Sequence, residues 1–368
     1  MFGSAVSSRA AITRMINDFI EYWTAAKLLL SGGNPYSPAE LFESQTGLGW
    51  SRSEPLIMWN PPWTLSFTLP LGLLDYKTAQ FVWFLSHTLI IFVGAQLLWK
   101  IYGGDSQKSR YALFSVLCFA PIYFVLLLGQ IGPLILIGLI AFLASAKRGL
   151  WSLAGASLTI ASIKPHLLYL LWLALILWIM RKGQWKLAIS FLLAGAIIAG
   201  IPLLFDRQIY SQYLALLTSD AIIRPLDWAT PSLGTALAEL LTVPDPWIRW
   251  LPSVGGGIWF LWYWSRRIEM WDWLAELPLV LLVSVATSSF VWTFDHVVLL
   301  PAVIQAAVWI SRLEASRKRT LLVGGHIALG GILLASKAVV RDDFWYFWLA
   351  PAYLCCYLYA RASATQKG

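Results

Sequence analysis

Eleven apolar stretches separated by short polar joints occupy most of the chain, near 78–99, 111–128, 131–146, 150–163, 166–180, 187–205, 251–264, 277–291, 297–311, 320–336 and 344–360. Backbone inside a bilayer finds no outside hydrogen-bond partner, so each stretch is predicted to be a helix. A span needs about 20 residues. Several of these stretches are shorter, which predicts helices that are tilted, broken or buried among their neighbours. Charged residues make up only 12% of the chain, against about 25% in a soluble domain. The expected fold is therefore an all-α polytopic membrane protein, a helical bundle of about 11-12 membrane helices. The 22 Trp and 14 Tyr fit aromatic belts at two interfaces, and no internal repeat is visible.

Charge gives the bundle sides. The net charge of +8 would point to nucleic acid in a soluble protein. Here the cations cluster in the joints, which is a signal of topology and of attraction to anionic lipid, and it excludes nucleic acid as a partner. Taking the joints as alternating from residue 100, one side carries Lys100, Lys108 and Arg110, then Lys147-Arg148, Arg181-Lys182 with Lys186, Arg266-Arg267, Arg312 with Arg317-Lys318-Arg319, and Arg361 with Lys367. The other side carries Lys164, Arg207, Arg224, Arg249, Lys337 and Arg341, six cations against sixteen. The richer side is expected to be cytoplasmic. Gln130, Lys164, the 206–250 loop and Asp295-His296 then share the outer side.

Residues 1–17 have no apolar core for a secretory signal and are too short and polar to span. The reading by segment is an N-terminal piece at 1–17, an outer-face interfacial helix and loop at 18–62, a transmembrane bundle at 63–361 with an outer loop at 206–250, and a cytoplasmic tail at 362–368. Within 18–30, Asp18, Glu21 and Tyr22 fall at i, i+3 and i+4 and share one helix face, and Tyr22-Trp23 suits a helix lying in the interface. A loop, SGGNPYSPAE, and then WNPPW at 59–63 follow. The twelve residues from Trp63 to Leu74, at about 1.5 Å each, fall short of a ~30 Å core. That segment either dips and returns or extends backward through the prolines.

Polar groups at membrane depth are functional candidates by default. Asp18 is a general base toward a sugar hydroxyl or, alternatively, the N-cap of its own helix. Gln130, after Gly129, hydrogen-bonds a sugar or satisfies a turn. Lys164-Pro165-His166 sets a cation and an imidazole in a helix break, where Pro165 frees a backbone carbonyl. Phosphate suits such a lysine; the other reading is a lysine snorkelling from a helix end. Asp295-His296 opens an apolar helix. His296 either donates to a departing phosphate oxygen or positions an acceptor, and the plainer reading is Asp295 as cap with His296 as an interfacial aromatic. Arg341-Asp342-Asp343 reads as a solvated outer loop. Cys118, Cys355 and Cys356 have no zinc spacing and no disulfide framework. No Walker motif, no GxGxxG with a following acid and no HExxH is present, so no metal and no cofactor is expected.

These elements, in this order, resemble glycosyltransferase family 87. The likeness runs through Asp18, Tyr22 and Ala25-Ala26, Gly33-Asn34-Pro35-Tyr36, Asn60-Pro61-Pro62 and Pro70-Leu71. It continues with Gly129-Gln130, Lys164-Pro165-His166, Ser232-Leu233, Ser289 through Trp292, Asp295-His296 and Pro301, and so covers 18–301. The resemblance implies the GT-C type of membrane fold, in the cell membrane, with the active site on the extracytoplasmic face. It implies a polyprenyl-phosphate sugar donor, mannose by family default, a glycolipid or glycan hydroxyl as acceptor, membrane lipid as surroundings, and inversion at the anomeric carbon. It assigns Asp18 as general base and sets His296 and Lys164 near the donor phosphate. Tyr22, Asn34, Tyr36, Asn60, Gln130, His166 and Asp295 are the expected substrate-binding residues. The family pattern differs at Asn60, where an aromatic is usual. It also has a transmembrane helix before the acid, which is expected to be missing from residues 1–17. The competing class is a transporter or flippase of lipid-linked sugar, which predicts inverted repeats with broken helices; a third is a non-catalytic assembly partner.

Overall fold

The structure, a computed structural model, describes residues 18–219, 228–242, 246–340 and 342–365. The expectations at 1–17, Arg224, Arg341 and Lys367 lie outside the described residues. All regular structure among the described residues is helical, and each of the apolar stretches forms a helix or a helix pair. Five helices are long and apolar enough to cross a membrane: Tyr76–Ile101, Pro165–Lys182, Trp185–Leu203, Thr293–Arg312 and Arg317–Val339. The 111–128 stretch is a pair, Ser106–Leu117 and Pro121–Leu128, bent by 66°. The break falls where Pro121, with no backbone N–H, can only begin a new helix. Gly132–Lys147, Trp151–Ala161 and Trp273–Thr287 are shorter apolar helices, and Trp273–Thr287 is buried along nearly its whole length. The chain is a polytopic helical membrane protein. Basic residues close several of its helices, as at Lys147, Arg181-Lys182, Arg266-Arg267 and Arg312, where cations favour the negative end of the helix dipole.

The helices group into two compact units interleaved along the chain. The first draws on the described part of Met1–Ser86, on Phe124–Gln130 and on Ile198–Ser219. Its centre is the helix Phe19–Ser31, buried at most positions and closed by Gly32, whose φ of 79° lets its N–H reach the Leu28 and Leu29 carbonyls. Ser37 caps the next helix, Pro38–Gly47. From that helix the buried Gln45 amide grips Leu56 twice, donating to its carbonyl at 2.7 Å and accepting from its N–H at 2.8 Å. The paired prolines lead into a short 3-10 turn, Pro62–Thr64, and an eight-residue helix, Leu65–Gly72. At about 12 Å that helix is too short to span. It docks on Phe19–Ser31 instead: Gly72 meets the backbone of Ala26 and Lys27, and Ala25 and Ala26 are fully buried. Trp23 Nε1 donates to the Leu74 carbonyl at 3.2 Å.

The second unit comprises His87–Tyr123, Ile131–Ile197 and the described part of Asp220–Gly368. Gly138 lets Gly132–Lys147 close on the backbone of Ser157 and Ala161 in the neighbouring helix, the small-residue contact by which membrane helices approach. Glu276, 3% exposed at its side chain, is answered by Arg361 at 3.3 Å, by Arg267 at 3.7 Å and by the Tyr263 hydroxyl. The segment expected as an outer loop is largely helical where described, with Ile209–Leu217 in the first unit and Leu233–Leu241 and Pro246–Trp250 in the second.

Candidate functional site

In the first unit the helix Phe19–Ser31 begins at Asp18, yet the Asp18 side chain makes no capping bond to that helix. Its Oδ2 accepts from Gln130 Nε2 at 2.6 Å, and its backbone N–H donates to the Leu128 carbonyl at 2.7 Å. Gln130 Oε1 accepts in turn from the Tyr22 hydroxyl at 3.1 Å. One buried amide therefore joins the acid and the phenol across more than a hundred residues of sequence. Gly129 permits this with φ +68°, a conformation open chiefly to glycine, and Trp83 Nε1 fixes its carbonyl at 2.8 Å. The Trp83 ring also packs on Phe19 and Tyr22, at centroid distances of 5.4 and 5.8 Å. Spacing on the sequence did place Asp18 and Tyr22 on one face. It gave no sign of Trp83, which lies inside an apolar stretch with nothing to mark it.

Asn34, Tyr36 and Asn60 also meet in this unit. Asn34 Oδ1 accepts from the Tyr36 N–H at 2.9 Å, a local turn-forming bond, and the Asn34 N–H donates to Glu40 at 2.8 Å. The Tyr36 hydroxyl donates to the Asn60 carbonyl at 3.1 Å, just before the paired prolines. Tyr213 stacks beside it at 5.1 Å and donates to the Trp59 carbonyl at 3.2 Å. Burial, with Tyr213 and Tyr210 close by, holds the Tyr36 hydroxyl neutral well above the ordinary tyrosine range; burial pushes Tyr213 up to about 12. These groups shape a loop wall. Beside them the Thr64 hydroxyl, on a fully buried side chain, and the Trp63 indole N–H find no hydrogen-bond partner among the described residues.

In the second unit Lys164 sits at the break between Trp151–Ala161 and the 3-10 turn Pro165–Leu168. Its φ of −125° and ψ of 76° keep it out of the helical region, which a following proline disfavours. The groups freed at the break are taken up by buried Ser284, which donates to the Leu167 carbonyl at 2.8 Å and accepts from the Leu170 N–H at 3.3 Å. Lys164 Nζ pairs with Asp295 Oδ1 at 2.8 Å, with side chains 11% and 0% exposed, and lies 5.1 Å from the Phe294 ring. Asp295 Oδ2 reaches back to the Trp292 N–H at 2.9 Å, so one carboxylate both caps the turn Thr293–Leu299 and holds the lysine. The ammonium makes this single hydrogen bond among the described residues and keeps two further donors. It does not snorkel.

His296, expected as an interfacial aromatic on the plainer reading, is 1% exposed. Its Nδ1 lies 3.1 Å from the carbonyls of both Trp292 and Thr293. Two carbonyls there assign the proton to Nδ1 and leave Nε2 as the nitrogen open to chemistry. His166 packs edge-on against Phe290 at 5.4 Å, and its buried Nε2 finds no hydrogen-bond partner among the described residues, nor do the hydroxyls of Thr230 and Thr293. Trp228, Phe290, Trp292 and Phe294 line up at centroid spacings of 6.0 to 6.3 Å. Thr230 and Trp228 escaped the sequence reading, since a threonine and a tryptophan in a loop carry no motif. Among the described residues no group of His, Cys, Asp and Glu could hold a metal ion.

Comparison with known proteins adds one positive result. Neither the curated proteins nor the solved structures give a significant match. The family model for glycosyltransferase family 87 matches residues 59–289.

Proposed function

The chain belongs to glycosyltransferase family 87 and is a membrane glycosyltransferase, and from that premise we propose that it moves a hexose from a polyprenyl-phosphate carrier to a lipid or glycan hydroxyl, with inversion. Mannose is the sugar the family favours. The reaction takes place on the extracytoplasmic face of the cell membrane, in a fold of the GT-C type. The acceptor oxygen attacks the anomeric carbon, and the bond from that carbon to the phosphate oxygen breaks with its electron pair leaving on the phosphate. Asp18 takes the proton that the acceptor hydroxyl loses. The observation that carries this reading is the hold on Asp18: its carboxylate is gripped by Gln130 instead of being consumed as a helix cap. A base fixed in this way is pre-oriented for a hydroxyl.

The other residues take roles that follow from their contacts. Gln130 and Tyr22 position Asp18. Asn34, Tyr36 and Asn60 shape the wall against which the acceptor lies. Lys164 uses its two remaining donors on the carrier phosphate, while Asp295 offsets the cost of burying its charge. His296, held through Nδ1, presents its Nε2 to the carrier head group. His166 contributes its buried Nε2 to the same carrier head group.

The decisive experiment uses radiolabelled polyprenyl-phosphate sugars on membranes containing the full chain. Asp18→Asn is expected to cut turnover by about 10²- to 10⁴-fold, the usual yield of general-base catalysis, while carrier binding stays intact. Undiminished transfer by that variant would remove Asp18 as the base. Movement of the carrier across the membrane without any transfer would favour the flippase class instead. Running mannose against other hexoses in the same assay decides the sugar.

A further inference from the structure

Away from all these residues, the second unit holds a cavity of about 1080 Å³, just above the ~300–1,000 Å³ usual for ligand sites. Four helices supply most of its wall, Arg110–Leu117, Leu300–Arg312, Arg317–Val339 and Leu349–Thr365, and Leu282 of Trp273–Thr287 adds to it. The wall is mostly apolar, with Phe114, Val303, Ala306, Leu322 and Val323 among its residues. Two cations break that pattern, Arg110 and Arg319. Both lie in the first turn of their helices. His326 Nε2 contacts the Ser115 carbonyl at 3.0 Å, so the two helices run side by side. Counted from that contact, Arg110 lies about 7.5 Å and Arg319 about 10.5 Å back along its own helix, at the same end of the cavity.

Among the described residues no carboxylate forms an ion pair with Arg110 or Arg319. Arg319 gives a long bond of 3.4 Å to the Leu313 carbonyl, and Arg110 rests 5.8 Å from the Tyr111 ring. A further polar group lies in the wall itself: Tyr353 is 4% exposed, and its buried hydroxyl finds no hydrogen-bond partner among the described residues. An apolar chamber with two guanidinium groups at one end is complementary to a long hydrocarbon chain bearing an anionic head. By the charge count that end belongs to the basic joints, on the side opposite Lys164 and Asp295.

We propose that this cavity binds an anionic phospholipid, with an acyl chain along the apolar wall and the phosphate on Arg110 and Arg319. A photoactivatable phosphatidic acid, with its reactive group on the acyl chain, tests this on the full chain in detergent micelles. Saturable labelling is expected on the helices Leu300–Arg312 and Arg317–Val339. Phosphatidylglycerol should compete about ten-fold better than phosphatidylcholine with the same chains, as a charge-assisted contact requires. Arg110→Gln with Arg319→Gln should lower labelling about ten-fold, and Lys at both positions should restore much of it. Ala306→Trp, which fills the chamber, should abolish labelling with the arginines intact. Where the double glutamine variant does not accumulate, the single Arg110→Gln carries the same comparison. Equal competition by the two lipids, or labelling indifferent to the arginines, would mean that bulk lipid merely fills a groove and would overturn the proposal. Displacement by inorganic phosphate alone would overturn it as well, since the site would then take a soluble anion.

Discussion

Gln130 is the residue on which the proposed base depends. Its amide accepts from Tyr22 and donates to Asp18, so its orientation is fixed and a glutamate cannot replace it as donor. Gln130→Ala is expected to lower kcat about 10- to 100-fold, the scale of a misplaced reacting group, with a smaller change in KM. Steady-state assays would show it, and an equal rise in KM at constant kcat would mean that Gln130 binds substrate directly. Lys164 and Asp295 give a second test. Asp295→Asn keeps an acceptor for the Trp292 N–H but strands a buried ammonium, at a cost of about 3–5 kcal/mol. Thermal unfolding in detergent should drop markedly, and Lys164→Met in the same chain should restore it while transfer stays lost. The sequence showed that Asp18 is either a base or a cap. Choosing between them requires the contact with Gln130, 112 positions away, and spacing along a chain is blind to a hydrogen bond of that separation. The same holds for Lys164 and Asp295, which were singled out separately and turn out to be partners.

Among the elements, the short helix Leu65–Gly72 is the one that sets the site. It packs on Phe19–Ser31 through Gly72, where an added Cβ would come within 3.1 to 3.2 Å of the Ala26 and Lys27 backbone and 2.9 Å of Leu30 Cδ1. Leu30 can turn aside; the backbone cannot. Gly72→Ala is expected to cost about 1–3 kcal/mol, as overpacking does, and to depress transfer because the helix that starts at Asp18 moves. Gly72→Leu should prevent accumulation of folded protein. Normal melting and activity of Gly72→Ala would contradict the close approach. Length arithmetic on the sequence showed that this stretch could not span, but left its path open. Hydropathy located each of the five helices that, among the described residues, are long and apolar enough to cross a membrane, because burial in lipid demands unbroken apolar residues. It merged Ser106–Leu117 with Pro121–Leu128, since the bend of 66° occurs within continuous apolar sequence. It read 206–250 as loop because helices such as Leu233–Leu241 and Ile209–Leu217 are too short to stand out as spans.

At the scale of the whole molecule, cations do two different tasks, and the sequence distinguished only one. The basic joints were legible as topology. That Arg361 reaches a buried acid on another helix was not, because a lysine or arginine near a chain end looks the same whether it faces water or a partner. Arg361→Met is expected to destabilise the protein by about 1.5–3 kcal/mol by removing the nearer of the two guanidinium partners of Glu276, and Glu276→Gln in the same chain should recover most of that. A thermal shift series on the two single variants and the double variant measures the coupling, and strict additivity would show that the two groups do not cooperate. This contact also bears on how the protein is made. Glu276 leaves the ribosome after Tyr263 and Arg267 but well before Arg361, so the helix Trp273–Thr287 meets two of its partners early and the third only when the helix Leu349–Thr365 has been synthesised. The acid cluster of this unit is therefore assembled in two stages, and a nascent chain halted short of Arg361 holds Glu276 by Tyr263 and Arg267 alone.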